Sequence, residues 1–278
     1  MGLLTDRFDR LTSWGLRVLE GRAVRVLWLA GASLIAVPML IFGTYQVASA
    51  IAHEERTVTD SFAAAGLTGV DVEGSAGSVR VIGVEDADSI NVRSRVSHGL
   101  RRTGYRTFVR DGRLVVSSTC PLYGSTWCTV SSTIEMPSDL AVSIRAEGGV
   151  EVSDVHGGVF VHTDGGGVTA TRVSGTLDLS SDQGSVEATG IDADHAVATS
   201  DQGRVDLTFT DSPRSVEARS DQGSVNVVLP EEPGVVYATT VETDQGSAQA
   251  LIAQDPRSDR TIVASSDQGD VTVSYATD

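Results

Sequence analysis

Lysine is missing altogether: the 278 residues carry 21 basic side chains, every one an arginine, against 37 acids. An enzyme built on this chain therefore has no lysine to use as a base. Cysteine occurs only at positions 120 and 128. The spacing C-x7-C is not the redox C-x-x-C, and no second pair completes a zinc site. Aromatic residues make up 5% of the chain, and Trp127 is the only tryptophan beyond the N-terminal apolar run. Exposed rings that platform sugars are accordingly scarce. No G-x-S-x-G, P-loop or H-E-x-x-H is present, and His156, His162 and His195 stand singly in the sequence. The net charge of −16 is concentrated after residue 56, where 15 Arg face 32 acids. Such a surface repels nucleic acid and anionic lipid, so no nucleic-acid partner is expected.

What is present is a phrase repeated five times. SDQGSV occupies Ser181–Val186, SDQGRV Ser200–Val205, SDQGSV Ser220–Val225, TDQGSA Thr243–Ala248 and SDQGDV Ser266–Val271. Its glycines, Gly184, Gly203, Gly223, Gly246 and Gly269, recur at nearly even intervals. A near-fixed period of this size is the mark of stacked repeats. Gly148, Gly166 and Gly184 extend the series backward in equal steps. Between the glycines run short alternations such as Val186/Ala188, Val205/Leu207/Phe209, Val225/Val227/Leu229 and Val271/Val273, each with one apolar face. The fold class read from this is all-β: a β-solenoid (β-helix) with rungs of about 18–23 residues, following one N-terminal transmembrane α-helix. Small interior residues such as Ala196, Ala198 and Ala218 favour a flattened coil with two short strands per turn over a wide triangular one.

Residues 26–52 carry no charge between Arg25 and His53, a run long enough to span a bilayer with some tilt. Five arginines precede the run, whereas His53-Glu54-Glu55-Arg56 follows it. The positive-inside rule places the N-terminus in the cytoplasm and the repeats outside, a single-pass membrane topology. Ala48-Ser49-Ala50 has the form of a signal-peptidase site, and cleavage near Ala50 with secretion is the alternative. Residues 1–25 read as a cytoplasmic juxtamembrane amphipathic segment, with the bilayer as partner of 26–52.

Residues 53–66 read as a linker and 67–145 as an irregular β part that caps the regular repeats of 146–278. Within the cap lies the only basic patch, Arg101, Arg102, Arg106, Arg110 and Arg113, which suits an acidic partner or anionic wall polymer. Cys120 and Cys128 lie outside the membrane, where oxidation is permitted, and flank a short segment between two strands. They are expected to form a disulfide stapling a hairpin.

From Thr133 onward, the run E-M-P-x-x-L-A-V (Glu135–Val142) and the repeated G-x-V-x-V units resemble the bacterial β-strand-repeat family of unknown function labelled "putative adhesin". The resemblance covers roughly 67–278. It implies a β-helical ectodomain on a membrane anchor in the cell envelope with an adhesive role, and it carries no catalytic or binding residues.

In the repeated phrase, glycine is expected to supply a positive φ, aspartate to cap the turn and stacked glutamine amides to form a ladder. Asp182, Asp201, Asp221, Asp244 and Asp267 would then stand in a column at ~4.8 Å spacing. Neighbouring charges there repel by about 1 kcal/mol in water, which makes the column a candidate Ca²⁺ site. Otherwise no cofactor and no catalytic residue is expected. The function read from the sequence is a structural or interaction module of the bacterial envelope whose partner is an envelope protein or wall polymer. A regulatory partner of a membrane sensor in envelope-stress signalling is the alternative. A polysaccharide-active β-helix enzyme is more remote.

Overall fold

A computed structural model describes residues 6–120 and 128–276. The chain forms two compact units that meet in sequence at Ala52 and His53.

The first unit is a single helix, α1 (Asp6–Ile51), of 46 residues. Its backbone runs unbroken from the juxtamembrane segment into the apolar run. The window Gly31–Ala48 has a mean hydropathy of 1.5 and is not buried against protein, so by length and composition it suffices to cross a membrane. Pro38 lies inside it. The hydroxyls of Ser33 and Thr44 turn inward on their own helix, Ser33 donating to the carbonyl of Leu29 and Thr44 Oγ1 to that of Leu40 at 2.9 Å. That is how a helix hydroxyl satisfies itself where no water is at hand.

The second unit is all-β. Its strands are β1 (Glu54–Ala63), β2 (Gly69–Ser75), β3 (Val79–Val84), β4 (Ser89–His98), β5 (Gly104–Arg110), β6 (Arg113–Thr119) and β7 (Thr129–Pro137). The regular part continues with β8 (Ala141–Ala146), β9 (Val150–Ser153), β10 (Val159–Thr163), β11 (Val168–Ser181), β12 (Val186–Ser200) and β13 (Val205–Phe209). It ends with β14 (Ser215–Ser220), β15 (Val225–Leu229), β16 (Ala238–Thr243), β17 (Ala248–Leu251), β18 (Thr261–Ser266) and β19 (Val271–Tyr275).

Pairing sorts these strands into two parallel ladders. In one, β8, β10, the second half of β11, the second half of β12, β14, β18 and β16 follow one another. In the other, β9, the first half of β11, the first half of β12, β13, β15, β19 and β17 do so. Each turn of the chain gives one strand to each ladder, and β11 and β12 are long enough to serve both. Register is set by alternation, since a one-residue slip would turn every apolar side chain outward. Val186, Ala188, Val205, Leu207, Val225, Val227, Val271 and Val273 are all buried in the common core. Ala196 and Ala198, also buried, share a turn with the bulkier Val205, Leu207 and Phe209, a small-with-large match that fills a thin interior.

Sequence order is not stacking order. At the C-terminal end β18 and β19 lie directly on β14 and β15, while the earlier β16 and β17 form the outermost turn. At the N-terminal end β6 and β7 lie outside β2 and β3, which in turn lie on β8 and β9. That end is closed by antiparallel strands: β5 pairs with β6, β4 with β7, and β1 with β4. The β5–β6 hairpin turns on Asp111 (φ 51°) and Gly112 (φ 76°), the Asp-Gly pair that a two-residue hairpin favours. Residues 54–63 are therefore not a linker; they form β1, whose charged, exposed face hides the strand signal.

Cys120 and Cys128 are joined by a disulfide with Cα atoms 5.8 Å apart. The strands on either side do not pair with each other, because β6 lies in the first ladder and β7 in the second. The bridge thus does not staple a hairpin. It closes the corner where the outermost N-terminal turn passes from one ladder to the other; residues 121–127 between the cysteines lie outside the described residues. Closing a loop of this size stabilises by about 2–3 kcal/mol. The Cys120→Ser, Cys128→Ser double variant is expected to lose that much in urea unfolding, and unchanged stability would show the corner to be held by other contacts.

Candidate functional site at the stacked corner

Each turn passes from the first ladder to the second through the repeated phrase, so the five copies form one column. Its order is Gly184, Gly203, Gly223, Gly269, Gly246, each packed on the backbone of the one before, with Gly166, Gly148 and Gly77 below. None of these glycines has a positive φ. Their role is close approach: a Cβ on Gly203 would overlap the carbonyl of Gly184, and one on Gly269 that of Gly223. Positive φ is used instead at the opposite corner, for example at Asp154 (60°), Arg172 (52°) and Gly190 (67°). There Arg172 donates to both carboxylate oxygens of Asp154, at 2.6 and 2.8 Å. The guanidinium hydrogen bond holds the Asp154 carboxyl below the usual carboxylate range.

The residue that pins the column is the hydroxyl opening each phrase, buried at Ser181, Ser200, Ser220 and Ser266. Ser200 Oγ donates to the carbonyl of Gly184 on the neighbouring turn at 2.8 Å and accepts from the amide of Gly203 at 2.8 Å. Ser181, Ser220 and Ser266 repeat both contacts, and Thr163 does so with Gly148 and Gly166. The hydroxyls thus link turn to turn where the β ladder is interrupted. Aspartate is not the cap. Its carboxylate points outward, and the amides of Gln183, Gln202, Gln222, Gln245 and Gln268 are exposed and join no side-chain ladder among the described residues.

The aspartates do share the column, in the order Asp182, Asp201, Asp221, Asp267, Asp244, as their backbone amide bonds from turn to turn show. Asp164 precedes them, its amide bonded to the Ala146 carbonyl and that of Asp182 to the Thr163 carbonyl. Arg219 reaches Asp221 at 3.3 Å and Asp267 at 3.7 Å, offsetting part of the repulsion. Arg204 pairs instead with Asp206 at 3.0 Å. Among the described residues, the one group of three ligand side chains close enough for a common ion is His162, Asp164 and Asp182, their ligand atoms within 4.8 Å of one another. Asp201, Asp221, Asp244 and Asp267 belong to no such triad.

His162 and Asp164 escape sequence reading because their turn reads TDGGG, without the glutamine. The signal was the equal step from Gly148 through Gly166 to Gly184, which sets Asp164 beside Asp182 and His162 beside Ser180.

Elsewhere, Arg110 and Arg113 of the basic patch are paired, with Glu73 at 3.1 Å and Asp71 at 2.7 Å. Arg101, Arg102 and Arg106 are exposed and without an ion pair among the described residues. At the opposite corner Asp192, Asp194, His195 and Asp211 line an open dish, where Asp194 is paired with Arg214 at 3.4 Å.

Neither a protein-family model nor a curated protein matches the chain. Among solved structures it is similar to bacterial proteins described as adhesins. One is a putative cell adhesion protein from Clostridium sporogenes, 10% identical, covering 80% of this chain and 100% of that one with a TM-score of 0.33. A putative adhesin from Bacteroides fragilis is 15% identical, covers 80% and 97%, and has a TM-score of 0.41. Another from Parabacteroides merdae is 10% identical, covers 80% and 97%, and has a TM-score of 0.29. None of the three assigns a role to a residue of this chain.

Proposed function

We propose that the chain is a non-catalytic interaction module of the bacterial envelope, adhesin-like, in which α1 anchors an extracytoplasmic flattened β-solenoid. The coil reading rests on the two parallel ladders fed by successive turns. The anchor reading rests on the apolar window of α1 and on the arginines before it.

One observation carries the functional reading: the two ends of the stack differ. The chain enters the β unit through β1, at the end closed by antiparallel strands. At the other end β16 and β17 each pair on one side alone among the described residues. Ala248, Gln249 and Leu251 of β17 are exposed there. An unpaired strand edge is a template for another strand. Backbone amides and carbonyls in a row recognise peptide backbone, so the edge favours an envelope protein donating an extended segment over a wall polymer.

The test is proximity labelling in living cells from a ligase fused at the C-terminus, comparing the native chain with an Ala248→Lys, Leu251→Lys variant. The expected result is an envelope protein labelled by the native chain and lost in the variant, with a full-length band kept in the carbonate-washed membrane pellet. Labelling that is indifferent to the edge substitutions overturns the edge reading. A shortened band released to the medium overturns the anchor.

A further inference from the structure

His162, Asp164 and Asp182 come from two adjacent turns: β10 carries the histidine, its corner the first aspartate, and the next corner the second. Proximity alone would not distinguish this group from any exposed acidic cluster. The hydrogen bonding of the ring does. Ser180 Oγ donates its one proton to the carbonyl of Val161 at 3.1 Å. With that proton so placed the hydroxyl accepts from the imidazole, and His162 Nδ1, 2.9 Å away, is the donor. In the neutral ring this leaves Nε2 as a bare lone pair, and Nε2 faces Asp164 Oδ1 at 3.3 Å. Two acceptors at that distance are held together by a shared cation, either a proton on the ring or a metal ion bound to both.

The companion pair His156 and Ser174 shows the same ring-to-hydroxyl contact at 2.9 Å, one turn apart. No carboxylate triad forms around it among the described residues. The pairing of a histidine with a serine one turn away is thus a general device of the stack; only at His162 does it orient the ring toward two carboxylates.

We infer that His162 Nε2, Asp164 and Asp182 form a binding site for a divalent transition ion of the zinc class, with Ser180 holding the ring in the ligating tautomer. An imidazole nitrogen among the donors selects zinc-like ions over Ca²⁺ or Mg²⁺, which take oxygen ligands. A hydrogen bond to the second ring nitrogen is the usual outer support of a metal-bound histidine. Three protein ligands leave a coordination position open to solvent. His162 and Asp164 are 45% and 65% exposed, so an ion can enter without rearrangement. The charges near the group include Asp178 on the same ladder strand as Ser180, Asp201 on the next turn, Glu147 at the corner below and Arg145, the Cα partner of His162 on the turn below. Arg145 opposes cation binding and the three acids favour it.

Full-length protein in detergent, stripped with EDTA, is titrated with ZnCl₂ by calorimetry and with CoCl₂ by visible absorption. One saturable site is expected, with cobalt d–d bands of an ion bound through nitrogen. His162→Ala and Asp182→Asn should abolish both signals. Ser180→Ala should weaken binding about 10–100-fold while keeping the bands. Asp201→Asn, in the same column but outside the triad, should leave binding within about twofold of native, the loss of a nearby exposed charge being worth little. All four positions are at the surface or at a turn edge, and circular dichroism checks that each variant is folded. No saturable binding overturns the inference, the carboxylates then facing an imidazolium. So does binding that survives His162→Ala, or binding in which Ca²⁺ competes equally with Zn²⁺.

Discussion

Gly203→Ala is expected to destabilise the β unit by about 3 kcal/mol, the upper end of overpacking costs. For a domain of this size that lowers Tm by about 6–12 °C. The added methyl would overlap the carbonyl carbon and oxygen of Gly184, and no side-chain rotation can move a backbone carbonyl aside. The sign is what makes the experiment sharp. Where φ is negative and space allows, Gly→Ala stabilises by about 0.4–1 kcal/mol through the unfolded chain. Gly104 in β5 is such a place, since a Cβ there would lie 3.6 Å from Thr119. Gly104→Ala should therefore be neutral or stabilising in the same thermal unfolding. If both variants behave alike, the column glycines are not there for backbone contact.

Ser200→Ala is the second large effect, expected at about 2–3 kcal/mol. The hydroxyl is 1% exposed and serves the Gly184 carbonyl and the Gly203 amide at once. Removing it leaves buried polar groups unpaired, each costing about 1–3 kcal/mol. Ser200→Thr should restore most of the loss, because Thr163 and Thr243 occupy equivalent places and donate the same bond to a glycine carbonyl. Asp201→Ala, one residue on, removes an exposed carboxylate and should change stability by less than about 0.5 kcal/mol. Equal losses at Ser200 and Asp201 in thermal unfolding would return the aspartate to the role of cap.

How much of this was legible in the sequence follows from which interactions are local. The near-even step from Gly148 to Gly223 and the alternation of Val186/Ala188 or Val205/Leu207 are local, and they placed the turns and the inward faces correctly. The function of each letter in the phrase was less legible. Serine, aspartate and glycine are all turn formers, and sequence cannot say which of them meets the neighbouring turn. Stacking order was illegible for a similar reason. The step from Gly223 to Gly246 equals the step from Gly246 to Gly269, so nothing local marks the second as the one that returns to β14 and β15. The group at His162 was signalled only by the equal step from Gly148 through Gly166 to Gly184, since Asp182 stands a full turn beyond Asp164 and the register of β10 on β11 brings them together.

The inverted order at the C-terminal end bears on how the β unit is assembled. A chain delivered from its N-terminus finishes β14 and β15 and next presents residues 238–251, whose TDQGSA phrase matches the waiting edge nearly as well as SDQGDV does. The partner that belongs on that edge, residues 261–275, emerges after it and sits between the two. Completion therefore cannot proceed as a ratchet in the order of synthesis; residues 261–275 have to dock before 238–251 can close over them. A chain that stops at residue 260 is not a shorter stack but one whose top layer has lost its floor.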